Sequence, residues 1–270
     1  MTFFRSLCIA VSMYSQIPVP YGNWDKKEMR YSIGLFPVVG VVIGAMTWLW
    51  LWGMHRIAAE GVTDLPEAVL LAVSTLITAI LPVLVTGGIH VDGFMDTGDA
   101  FHSWADRDKK LQILSDPHIG AFSVISLLIL AAVWVSAAAV VAGSGDGRCF
   151  GVFALEYVLA RALSGLAAVL FKNARGGGTL WVFTDFGEEA KRTNLALLCV
   201  FGLAAAIGMI VLKPAGGLAA VIISVLVLAG YKRRAYKELG GITGDLEGWF
   251  LCRCEVFSAC ALAVTCFCGI

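Results

Sequence analysis

The sequence predicts an all-α, polytopic integral membrane helix bundle. It has about seven transmembrane helices in a single domain over 1–270, with a short N-terminal re-entrant or interfacial helix. Three observations predict this. Of the 270 residues, 59% are apolar and 15% charged, whereas a soluble domain is nearer a quarter charged. Seven apolar runs approach the roughly 20 residues that a helix needs to cross a bilayer core of about 30 Å. These runs lack the alternation of barrel strands, and uncovered backbone is not tolerated in lipid, which leaves helices. Lys+Arg 20 balance Asp+Glu 20, so nothing suggests a nucleic-acid partner, and the bilayer is the expected surroundings.

Residues 3–17 form the first apolar run. It is too short to cross comfortably, and Arg5 is followed by Ser12, Tyr14, Gln16, Pro18 and Pro20 rather than a cleavage site. The expected spans follow at 33–54, 68–89, 121–142, 149–171, 193–212, 215–231 and 249–268, each bounded by Gly, Pro or charge. Pro82 should kink the second. Of the eight cysteines, Cys252, Cys254, Cys260, Cys266 and Cys268 crowd the last apolar run. They read as small buried hydrophobes, with neither a disulfide framework nor a zinc spacing.

The basic residues orient the bundle. Connections 20–32, 90–120, 172–192 and 232–248 hold 3, 3, 4 and 4 of them, against 1 in each of 55–67, 143–148 and 213–214. The positive-inside rule puts the rich set in the cytoplasm and the chemistry at the cytoplasmic face of the cell membrane.

The polar signatures lie in those same connections. In Gly87-Gly88-Ile89-His90-Val91-Asp92-Gly93-Phe94-Met95-Asp96-Thr97-Gly98-Asp99, spacings of four and three place Asp92, Asp96 and Asp99 on one helix face. Three adjacent carboxylates near lipid call for a cation. All-oxygen ligands suit Mg²⁺ or Mn²⁺, and Mg²⁺ takes one or two protein carboxylates and completes its shell with water and substrate phosphate. A solvated acidic helix start explains Asp92 but not the continuation to Asp99. His90 is a base, a substrate contact or simply a polar histidine. Downstream, Arg107, Lys109 and Lys110 can hold phosphates or form a solvated surface, and Asp116 can join the acidic cluster.

Three further features are expected on that side. Arg161 lies inside an apolar helix and asks for a partner or an anionic ligand. Glu156, five residues earlier, is poorly placed for it, which leaves a cross-helix pair open. Lys172-Asn173-Ala174-Arg175-Gly176-Gly177-Gly178 frees backbone N–H groups beside two cations, as in a phosphate nest, and a flexible turn accounts for it equally well. Gly240-Gly241-Ile242-Thr243-Gly244-Asp245 frames an Asp at the entry to the last span. Lys232-Arg233-Arg234 before it reads as a topology anchor.

Together these residues resemble the cobalamin-5′-phosphate synthase family, also called adenosylcobinamide-GDP ribazoletransferase. The resemblance rests on residues 87–99, on Arg107-Asp108 with Asp116 through Gly120, on Ala174-Arg175 with Gly176–Gly178, and on 240–245. Ile17-Pro18-Val19-Pro20 and Phe36-Pro37-x-x-Gly40 add to it. One position departs: the family's Glu about seven residues after the last Asp is Cys252 here, with Glu247 and Glu255 nearby.

The resemblance implies transfer of the adenosylcobinamide-phosphate group of adenosylcobinamide-GDP to the 5′ position of α-ribazole or α-ribazole 5′-phosphate. GMP leaves, and adenosylcobalamin or its 5′-phosphate forms, with Mg²⁺ as cofactor. The expected metal ligands are Asp92, Asp96 and Asp99. The expected catalytic residues are Asp116, Asp245 and Arg161. The expected substrate contacts are His90, Arg107, Arg175, Gly176, Gly178 and Thr243. A homo-oligomer is left open. One rival is a CDP-alcohol phosphatidyltransferase, whose Asp-Gly-x-x-Ala-Arg signature is not met, since Phe94-Met95-Asp96-Thr97 follow Asp92-Gly93. A cation-coupled transporter is the other, and no internal repeat supports it.

Overall fold

The computed structural model describes residues 2–20, 25–175 and 187–269. The described helices are α1 Thr2–Tyr14, α2 Lys26–Met29, α3 Phe36–Glu60, α4 Glu67–Thr86, α5 Ile89–His102, α6 Arg107–Ile113, α7 Ala121–Gly143, α8 Gly147–Leu170, α9 Gly187–Leu212, α10 Pro214–Leu239 and α11 Gly244–Phe267. Seven of them, α3, α4 and α7 through α11, are long and apolar enough to cross a membrane. The protein is therefore a multi-pass helix bundle. α1 is the expected short apolar helix and packs on α2 and α3. α4 continues through Pro82 to Thr86, whose hydroxyl donates to the Pro82 carbonyl at 2.8 Å.

The bundle is built around α8, which packs against α3, α9 and α11. Its central stretch is 78% buried, against 17% for α7 at the periphery. Lipid tails are as apolar as leucine, so helices in a bilayer associate through close packing and polar contacts rather than through the hydrophobic effect. Both devices are present. Gly40 and Gly44, one turn apart on α3, lie against the α8 backbone. A Cβ at Gly40 would stand 2.5 Å from the Tyr157 carbonyl oxygen, and one at Gly44 2.3 Å from that of Ala154. Ile43, between them in sequence, and Phe150, Phe153 and Tyr157 of α8 are fully buried in the core beside this seam.

The polar contacts run along the antiparallel α8–α11 pair. Cys149 and Cys266 bring their Sγ atoms within 2.7 Å at one end. Arg161 Nη1 reaches Glu255 Oε1 at 2.7 Å further along. Ser164 donates to Glu247 at 2.5 Å near the other end. The cross-helix partner for Arg161 is thus Glu255, not Glu156.

One boundary corrects the sequence reading. The span expected at 215–231 continues as α10 to Leu239, so Lys232, Arg233, Arg234 and Lys237 are helical. Lys and Arg are good helix formers, and aromatic faces receive two of these cations. Lys232 Nζ lies 4.8 Å from the Phe171 ring centroid, and Arg234 Cζ lies 4.5 Å from that of Phe101. Lys110 pairs with Glu238 at 2.5 Å, tying α6 to the same helix. The connection shrinks to the turn after Gly240, a glycine at φ 72° that closes α10.

The α3–α8 seam yields a stability prediction. Gly44→Val is expected to cost about 1–3 kcal/mol through overpacking and to lower the melting midpoint in detergent by several degrees. Gly53→Ala on the same helix, where a Cβ meets nothing within 4 Å, should leave the midpoint unchanged or slightly raised.

Candidate active site at the α5–α11 crossing

The site begins at a reversal that only glycine adopts readily. α4 ends at Gly87 (φ 66°), and Gly88 (φ 82°) turns the chain into α5. α5 then lies on α11 with almost nothing between the backbones. A Cβ at Gly93 would stand 2.7 Å from the Asp245 carbonyl oxygen, and one at Gly248 would stand 2.8 Å from that of His90. The S–H of Cys252 donates to the same His90 carbonyl at 3.4 Å.

This contact sets Asp92 of α5 and Asp245 of α11 on the wall of one cavity of about 200 Å³, shared with Tyr14, His90, Ser164 and Glu247. Asp96 follows one turn beyond Asp92. Partial burial, and then the charges of Asp92, Asp245 and Asp99, push its carboxyl up to about 6. A countercharge stands beside Asp245: Arg175 Nη2 lies 4.0 Å from its Oδ2.

Two signature segments expected in separate connections are joined here. The Ala174 N–H donates to the Ile242 carbonyl at 2.9 Å, and the Ile242 N–H to that of Lys172 at 2.8 Å. They form an isolated parallel bridge between Asn173 and Ile242. A Cβ at Gly241 would stand 2.3 Å from the Lys172 carbonyl oxygen. The bridge fixes Arg175 beside Asp245. Gly176 and Gly178 lie outside the described residues.

Several expected residues have other work. Asp99 caps α7: its carboxylate accepts from the Gly120 N–H at 2.7 Å, the Ser123 N–H at 3.0 Å and the Ser123 hydroxyl. Its place on the acidic face is as the spacing predicts, but its oxygens answer a helix N-terminus. Asp116 is exposed and bonded to its neighbour His118, whose backbone N–H and ring hold the carboxyl below the usual carboxylate range. Arg107 donates to the Leu239 carbonyl at 2.8 Å and the Ala174 carbonyl at 3.0 Å, and so serves as a strap. Thr243 is buried and caps α11 through the Leu246 N–H at 3.3 Å. Arg161 lines a second pocket rather than the Asp92–Asp245 cavity.

His90 does line the cavity. Burial, and then the charge of Arg161, push its pKa down to about 3, so the ring is neutral. Glu247 is a residue that the motifs leave without a role. It is buried in the cavity wall, taking the Ser164 hydroxyl at 2.5 Å and the Tyr231 hydroxyl at 2.9 Å.

Asp92, Asp96 and Asp245 suit a hard cation by charge and by oxygen chemistry. Among the described residues, however, no three His, Cys, Asp or Glu side chains already surround a common point. The arrangement therefore matches a hydrated ion held by one or two carboxylates and completed by a ligand's phosphate oxygens. It does not match a closed protein cage.

Comparison with known proteins follows from this geometry. Residues 6–263 match the model of the cobalamin-5-phosphate synthase family. An adenosylcobinamide-GDP ribazoletransferase of Lachnoclostridium phytofermentans is 34% identical over 264 residues, 98% of this chain and 95% of that one. Proteins of the same name from Clostridium perfringens and Roseiflexus are 31% and 32% identical. They cover 92% and 96% of this chain, and 93% and 88% of their own. No solved structure matches the chain.

The two kinds of aspartate should separate in thermal melts. Asp99→Ala removes a helix cap and is expected to cost about 1–2 kcal/mol, lowering the midpoint. Asp96→Asn relieves like-charge repulsion and should hold or raise the midpoint in metal-free buffer. A drop for Asp96→Asn equal to that of Asp99→Ala would contradict the assignment.

Proposed function

The chain belongs to the cobalamin-5-phosphate synthase family and acts in cobalamin nucleotide-loop assembly as an adenosylcobinamide-GDP ribazoletransferase, and we propose that the α5–α11 crossing is where its transfer takes place. The observation that supports this is that Asp92 and Asp245 line one cavity, with Asp96 near enough to feel the charge of both and Arg175 beside Asp245.

In this reading Asp92 and Asp96 hold Mg²⁺. When bound, the ion supplies neutralisation of the diphosphate and of the departing GMP. Arg175 steadies phosphate charge from the bridged loop. A ribose hydroxyl of α-ribazole attacks the phosphorus on the cobinamide side. The new O–P bond forms, the P–O bond to GMP breaks, and the hydroxyl proton passes to Asp245. Asp245 takes this role over Asp116 because it lines the cavity, whereas Asp116 is exposed and engaged with His118. The 5′ position expected above is amended by chemistry. An acceptor that already carries a 5′-phosphate and yields a 5′-phosphorylated product has no free 5′ hydroxyl, so another ribose hydroxyl attacks.

Glu247, clamped by Ser164 and Tyr231, positions the first turn of α11 on which Asp245 sits. Arg107 and Thr243 act through the backbone they fix. The basic-rich connections support a cytoplasmic site, where a nucleotide-activated substrate is at hand.

Three measurements test this. Asp96→Asn, in detergent with saturating Mg²⁺, is expected to lose at least 100-fold in GMP release from adenosylcobinamide-GDP and α-ribazole. Near-normal turnover with unchanged metal dependence would end the proposal. CDP-diacylglycerol should neither react nor compete. For orientation, Cys268 is exposed at the end of α11 away from the site. In a variant retaining Cys268 alone, a membrane-impermeant maleimide should label intact cells; labelling only after lysis would reverse the topology.

A further inference from the structure

Beside the acidic cavity lies a second pocket of about 540 Å³. Its walls are apolar side chains of two spanning helices, among them Leu76, Ile80 and Val83 of α4 and Leu127 and Trp134 of α7. Leu76 and Ile80 are exposed, so the pocket opens toward the bilayer. Its floor is polar: His90, Arg161, Cys252 and Glu255. His90 lines both this pocket and the cavity that holds Asp92 and Asp245.

Two floor atoms are buried without a hydrogen-bond partner, Arg161 Nε and His90 Nε2. Arg161 is 1% exposed, and its Nη1 is occupied by Glu255 and the Tyr157 carbonyl. An unpaired N–H in so apolar a place carries a desolvation penalty that no protein group here offsets. An acyl chain filling the pocket would leave both atoms unpaired. A ligand with an apolar, flat body and one exposed acceptor would satisfy Arg161 Nε and pack along the Trp134 face.

We propose that this pocket receives the aromatic base of the ribazole nucleoside, with its sugar passing His90 to the carboxylates. The inference rests on the transferase reading above and adds the acceptor's subsite to it. A benzimidazole nucleoside has an apolar bicycle and one unsubstituted ring nitrogen, which accepts from Arg161 Nε. A ribose hydroxyl, able to donate or accept, meets His90 Nε2. Arg161 is then a binding residue for the base rather than a phosphate contact, and Glu255 holds its guanidinium in place. The pocket explains why an arginine is kept deep in a membrane helix when one of its donors has no protein partner.

The test uses the full chain in nanodiscs. Ala131 of α7 lines the pocket and is exposed. Ala131→Trp is expected to raise KM for α-ribazole at least ten-fold while KM for adenosylcobinamide-GDP stays within two-fold. An indole nucleoside, in which the ring nitrogen is replaced by C–H, should bind the unsubstituted protein at least ten-fold more weakly than α-ribazole. In Arg161→Lys that preference should largely vanish. If Arg161→Lys does not fold, Ala131→Trp and the indole comparison still decide. An unchanged KM for α-ribazole in Ala131→Trp, an indole nucleoside that binds as well as α-ribazole, or a tightly held phospholipid that α-ribazole fails to displace would each overturn the assignment. Failure of the carboxylate chemistry reads differently: no GMP release from the unsubstituted protein, whatever the acceptor.

Discussion

The structure depends on two backbones meeting with no side chain between them. Where α5 crosses α11, Gly93 faces Asp245 and Gly248 faces His90, at separations that a Cβ would reduce below 3 Å. The consequence is chemical. Asp92 and Asp96 belong to a helix that follows the second span, and Asp245 to the start of the last. Only this close approach brings Asp92 and Asp245 to one cavity. The same approach places His90 where it borders both the acidic cavity and the apolar pocket below it.

Charge is distributed along the α8–α11 pair by depth. Near the site, Glu247 accepts hydrogen bonds from the hydroxyls of Ser164 and Tyr231. Deeper, Arg161 and Glu255 compensate each other at 2.7 Å. A buried pair of this kind does little for stability by itself, since desolvation offsets the attraction, but removal of one member leaves an uncompensated charge. Arg161 is thereby locked in one orientation, the condition under which its remaining donor can select a ligand.

Much of the fold was legible because apolar length and bounding Gly, Pro and charge are local properties. All seven spans are found, and the largest boundary difference, at 231 against 239, arises because the last turns of α10 carry cations that aromatic rings receive. The site was legible in its residue types and only partly in its geometry. Spacing put Asp92, Asp96 and Asp99 on one face, yet spacing within a helix says nothing of what that face meets. The N-terminus of α7 meets Asp99, and Asp245, from another helix, shares the cavity wall with Asp92. Arg107 and Arg175 looked alike in sequence. Their difference lies in carbonyls more than 60 residues away, at Leu239 and Ala174 for one and at Leu111 for the other. Glu247 was visible in the sequence but without a role, because its partners Ser164 and Tyr231 come from two other helices.

The engagement of Asp99 has an electrostatic corollary for ligand entry. Its negative charge is answered locally by the dipole of α7 and by three donors from Gly120 and Ser123. An approaching pyrophosphate, itself an anion, therefore encounters a shallower repulsive field than three bare aspartates would cast. On the proposed reading, the threshold to admission would be lowered before any counterion arrives, by a residue that need not touch the guest.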